Sequence, residues 1–144
     1  MKNLMLLILL SATSIFTSQA QTSFAKDSLS VSSFIGFQKK VDFENYQIEF
    51  KNVVSDSRCP KDVMCIRAGE AKVLLSIFKN GAYIEDKEIT IDANGYVMEE
   101  NNLAFITNDF KIFGMNLKPY PTSKASISET DYEIEIVFQP TILN

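Results

Sequence analysis

The chain has 144 residues, 46% hydrophobic and 22% charged, the balance of an ordinary globular protein. It contains no His and no Trp, so neither a Ser-His-Asp or Cys-His catalytic pair nor an imidazole-dependent zinc site can be built. Fourteen Lys and Arg against 18 Asp and Glu give a net charge of −4, a field that disfavours nucleic acid, which binds through clustered cations.

The chain opens like a secretory signal. Lys2 precedes the unbroken apolar run Leu4 to Leu10, and small or polar residues follow, ending in Ser18-Gln19-Ala20. This pattern predicts a signal peptide over 1–20, cut after Ala20. The apolar run is too short to cross a ~30 Å hydrocarbon core, so it does not read as a membrane anchor. No Cys lies near the cut, so acylation as a lipoprotein has no residue to use. The expectation is an exported protein, periplasmic or extracellular, with no membrane anchor in the mature chain. Residues 21–144 then form a single domain, with 21–27 a polar, mobile tail.

From there the hydrophobic pattern has period two, and helical periodicity is scarce. Leu29, Val31, Ile35 and Phe37 share one parity. Tyr46, Ile48 and Phe50 alternate with Gln47, Glu49 and Lys51, as in a half-buried strand. Ala71 to Phe78 is nearly all apolar and reads as a central strand covered on both sides. Asn80-Gly81 follows, the strongest short signal for a hairpin. The partner strand runs from Ala82 to about Ile91, with Glu85, Asp86, Lys87 and Glu88 marking a wetter edge. Asn94-Gly95 is a second turn, and 97–102 has room for one short helical turn. Leu103 to Ile106 and Phe110 to Leu117 are further apolar stretches. Pro119-Tyr120-Pro121 breaks the chain, and a cis bond is expected at Tyr120-Pro121. In the last strand Tyr132, Ile134, Ile136 and Phe138 point inward. The prediction is an all-β, single-domain antiparallel β-sandwich, immunoglobulin-like or similar, of seven or eight strands.

In an exported chain, Cys59 and Cys65 read as a disulfide that closes a short loop. Ring closure of that size contributes about 2.4 kcal/mol. Redox chemistry favours CxxC beside a helix, and two thiolates without further ligands leave a metal shell incomplete, so no metal and no cofactor are expected. Asp92-Ala93-Asn94-Gly95 resembles the start of a calcium loop, but its glycine comes too early and Leu103 stands where a bidentate Glu is needed. Arg58 and Arg67 are the only arginines and flank the two cysteines, with Asp56 and Glu70 nearby. They are candidates for structural ion pairs that fix the loop, or for contacts to an anionic ligand. Gly69 permits a positive φ that turns the chain back, bringing Arg58 near Asp56 or Glu70.

The stretch Asp56-Ser57-Arg58-Cys59-Pro60, then four residues, then Cys65-Ile66-Arg67-Ala68-Gly69-Glu70-Ala71 resembles a signature of small exported bacterial proteins and lipoproteins. Leu117 to Pro121 and Asp131-Tyr132 are similar to the second half of that group. Arg67 stands where the group commonly has an aromatic residue, and the lipid-bearing Cys of its lipoprotein members is missing. The resemblance implies a β-sandwich and assigns no catalytic residues. Three functions compete on this sequence. One is a non-catalytic binding module for a protein or glycan. A second is an inhibitor of a secreted protease acting through the loop of Lys61, Asp62, Val63 and Met64, which requires that loop to be exposed. The third is a small hydrolase using carboxylates alone.

Overall fold

A computed structural model describes residues 30–141, Tyr96 excepted. The signal segment, the polar tail and Leu29 lie outside the described residues.

Among the described residues eight strands form: β1 (Val31–Gly36), β2 (Lys40–Phe43), β3 (Tyr46–Asp56), β4 (Glu70–Lys79), β5 (Ala82–Asp92), β6 (Leu103–Ile106), β7 (Phe110–Lys118) and β8 (Glu133–Pro140). A single helical turn, α1 (Glu99–Asn102), precedes β6, and a 3-10 turn at Glu129–Asp131 precedes β8. The strands make two four-stranded sheets, β1-β8-β7-β6 and β2-β3-β4-β5, with every pairing antiparallel. The all-β sandwich expected from the alternation is therefore the fold. Its connectivity is a meander: within each sheet, chain neighbours pair, and β8 closes back onto β1 rather than following a Greek key.

Alternation places the core. Ile48 and Phe50 of β3, Val73, Leu75 and Ile77 of β4, and Ile134, Ile136 and Phe138 of β8 are fully enclosed between the sheets. Of the N-terminal parity, only Ile35 is buried; Val31 is exposed at the strand's start and Phe37 packs beside the core. Strand β4 is central in its sheet, but the opposite sheet covers only one of its faces. The other face is screened by neighbouring side chains: Lys40 lies over the Phe78 ring, and Ser76 donates to Asp86 at 2.6 Å. Its continuous apolar run thus reflects one deep face and one thinly covered one.

The two ends of the sandwich differ. At one end the described residues contribute only tight turns, 44–45, 80–81 and 107–109, together with Ser30 and Thr141. Here an aromatic cluster joins the sheets: Phe43 stacks on Phe138 at 4.2 Å and meets Phe110 edge-on at 5.0 Å. At the other end lie the long connections 57–69 and 119–132, and the connection 93–102 departs from it. The cis peptide expected at Tyr120-Pro121 is instead at Lys118-Pro119.

The edge strand β5 is defended against pairing. Its first seven residues are exposed, and an irregularity at Ile84 interrupts the register with β4. Glu85 and Lys87 share the inward parity of Ile89 and Ile91 where no core covers them, a placement that discourages edge-to-edge association.

Across the sandwich, Gly114 of β7 faces Ile89 of β5; a Cβ at this glycine would lie 2.2 Å from the Ile89 Cδ1. Gly114→Ala is expected to lower stability by about 1–3 kcal/mol through overpacking. Ile89→Val, which removes that Cδ1, should cost less in a chain already carrying Gly114→Ala than in the native chain. Chemical denaturation of the four members of the cycle checks this, and strict additivity would contradict the contact.

Candidate functional site

The long connections meet around one buried ion pair. Two register irregularities in β3 shift its last residues, and Asp56 reaches the rim of the sandwich as the strand ends. Arg58, two residues on, turns back over it. Its Nε donates to Asp56 Oδ1 at 2.8 Å and its Nη2 to Oδ2 at 2.6 Å, a two-pronged pair. The remaining guanidinium donors cross to the other sheet, where Nη1 reaches the Leu117 carbonyl at 2.5 Å and Nη2 the Pro119 carbonyl at 3.0 Å. The Tyr132 hydroxyl, at the start of β8, donates to Asp56 Oδ2 at 3.0 Å. The guanidinium carbon also lies 4.9 Å from the Tyr120 ring centre. Both side chains are almost wholly buried, at 3% and 9% exposed. A charge pair so placed is tolerable only because nearly every donor and acceptor is matched.

The clamp shows in the titration of its members. Burial works against the Asp56 carboxylate, yet the Arg58 hydrogen bonds and charge, with help from Tyr132, hold its pKa below the ordinary value. Burial, followed by the charge and hydrogen bond of Asp56, pushes the Tyr132 hydroxyl up to about 12.

The disulfide ring grows directly from this base. Cys59 and Cys65 are joined, and the described residues contain no free cysteine. Cys59 N donates to the Ala68 carbonyl at 2.7 Å and Ser57 N to the Glu70 carbonyl at 2.9 Å, zipping the loop's two stems. That approach requires Gly69: its φ is +77°, and a Cβ would sit 2.0 Å from the Ser57 carbonyl oxygen. Inside the ring, Val63 N closes a turn onto the Pro60 carbonyl at 3.2 Å. Lys61 N donates to the Pro121 carbonyl at 3.1 Å, and Asp62 receives both the N–H and the hydroxyl of Ser123, at 2.8 and 2.6 Å. The ring is thus tied to the 119–132 connection as well as to its own stems.

The ring presents both charged and apolar side chains outward. Lys61, Asp62, Val63 and Met64 are all exposed, and Met64 and Ile66 are fully so, at 100% and 104%. Arg67 is exposed too, and among the described residues no carboxylate lies within salt-bridge distance of it. Beside Ile66 and Arg67 runs an open groove of about 660 Å³, with Gly69, Glu70, Asp92 and Asn94 along it.

Of the four ion-pair candidates, the structure unites Arg58 with Asp56 only. Glu70 points away and approaches Lys72 at 3.9 Å, because its backbone, not its side chain, is what meets Ser57. Asp92 is engaged in a local turn, accepting the Asn94 N–H at 2.8 Å, rather than opening a calcium loop. Sequence reasoning missed Ile66, which lies just outside the ring, the Arg58 contacts to Leu117 and Pro119, and the Tyr132 contact to Asp56. These partners are about sixty or more residues away, and two of them are carbonyl groups that no residue type announces.

Arg58→Ala is expected to lower stability by about 3–5 kcal/mol, the cost of leaving a buried carboxylate unpaired; denaturant titration with an unchanged midpoint would contradict the clamp. The pH profile carries a second signature. The raised Tyr132 pKa means the folded state holds that proton more tightly, so its contribution is complete below pH 10 and is lost as pH rises from 10 through about 12. Tyr132→Phe should flatten that alkaline limb, measured by stability at successive pH values.

No protein-family model, curated protein or solved structure matches this chain.

Proposed function

We propose that this is an exported, non-catalytic binding module whose contact surface is the loop-bearing end of the sandwich. The observation that carries the reading is the asymmetry of that end. Long connections gather there, stapled and hydrogen-bonded into fixed positions, while among the described residues the opposite end has only tight turns. Scaffolds that bind through loops need such ordering, because a loop already held in place loses little entropy on contact. Export is supported by the signal-like segment at 1–20 and by the disulfide, which persists outside reducing compartments.

The protease-inhibitor reading keeps its necessary condition, since 61–64 are exposed. Its shape argues against it. The hydrogen-bonded turn from Pro60 to Val63 and the bend at Ile66 make a compact knob, not an extended strand to lie along a protease cleft. The carboxylate-hydrolase reading has less support: Asp56, Asp62 and Asp86 are each occupied by hydrogen bonds within the fold.

Cell fractionation should find the chain outside the cytoplasm, beginning at Gln21. Immobilised, it should retain a specific protein from the exported fraction of its own organism. Ile106→Asp, at the end with tight turns, should leave that retention unchanged, and Tyr120→Asp, at the loop end, should abolish it. Equal retention by both variants, or none by the native chain, would remove the proposal.

A further inference from the structure

The loop end offers more than a location. Its most exposed apolar side chains, Met64 and Ile66, flank Cys65 of the disulfide. We propose that Met64 and Ile66 form the anchor of the contact, that Arg67 borders it, and that the occupant is a folded protein with an apolar recess edged by a carboxylate. The inference rests on the binding-module reading and deepens it.

Three features support a knob rather than a floppy loop. The disulfide closes the ring, the Pro60–Val63 turn stiffens it, and Pro121 and Ser123 hold its flank. A fully exposed Met and Ile in a rigid segment are unfavourable in water and remain so until another apolar surface covers them. Met and Arg are also enriched in the cores of protein interfaces. Met adapts its shape to a pocket and Arg gives two-pronged contact to a carboxylate.

The chemistry selects among occupants. A glycan is disfavoured because the ring carries no aromatic platform on which a sugar could stack. An anionic membrane is disfavoured because the charges around the knob balance, Lys61, Arg67 and Lys72 standing against Asp62, Glu70 and Asp92, so no basic cluster faces outward. A protein recess with one carboxylate at its edge satisfies both the apolar pair and Arg67, whose charge no described carboxylate meets.

A photo-reactive p-benzoylphenylalanine placed singly at 64, 106 and 120 in the full chain, produced in its own organism, tests this. The expected result is one discrete protein adduct from position 64 and none from 106. That protein, purified, should then bind the native chain. Met64→Ala and Ile66→Ala should each weaken the complex about tenfold or more. Arg67→Ala should slow association chiefly at low salt.

Other outcomes overturn one reading or both. A protein adduct from 120 but not 64 would keep the loop end as the contact surface and sink the Met64–Ile66 anchor. Adducts from 64 to lipid, to glycan or to a second copy of the chain would sink the protein recess. An adduct from 106 alone, or none at any position, would remove the binding surface itself. A purified adduct protein whose affinity ignores Met64 and Ile66 would reduce the knob to a bystander.

Discussion

The buried pair of Arg58 and Asp56 is the constraint on which the loop end depends. Asp56 closes β3 in one sheet, and Arg58 directs its other donors to Leu117 and Pro119, at and just beyond the end of β7 in the other. A sandwich is held mainly by apolar contact, which has no preferred direction and tolerates small slides of one sheet over the other. A guanidinium shared between a carboxylate and two carbonyls does not tolerate them, because its donors leave in fixed directions. The hydrophobic core makes the two sheets adhere, and the clamp sets where their rims meet. The disulfide ring begins at the next residue, so its position follows from that of Arg58.

The opposite end solves the same problem differently. Phe43, Phe110 and Phe138 interlock the sheets there with edge and stacked contacts, and no charge is involved. Rings fill space between short turns, whereas the loop end must satisfy the carbonyls of its long connections. Polar fixing at one end and apolar fixing at the other thus accord with what each end carries.

Much of this was legible from the residues, and the failures have physical causes. Alternation in β3 and β8 and the Asn80-Gly81 turn give the strands, because a side chain's face is fixed by its parity. The Arg58–Asp56 pair was one of the proximities that local spacing allowed. Its other half was hidden, since contacts to Leu117 and Pro119 use backbone atoms brought close only by the meander. The apolar run in β4 misled in the opposite way. Burial on both faces and burial on one face with a lysine over an aromatic ring give the same sequence pattern. Ile66 escaped notice because exposure of a large apolar residue contradicts its ordinary preference, and only the path of the chain reveals it.

The arrangement of the ends has a further consequence. The tight turns 44–45, 80–81 and 107–109 lie a full strand length from the disulfide ring. A fusion partner or surface coupled through one of these turns would therefore face away from the ring, leaving it unobstructed. Variation of Val63, Met64 and Ile66, whose side chains are exposed, should likewise leave the clamp, both sheets and the points of attachment untouched. The molecule has the geometry of a display scaffold: one pole for mounting, the other for diversity.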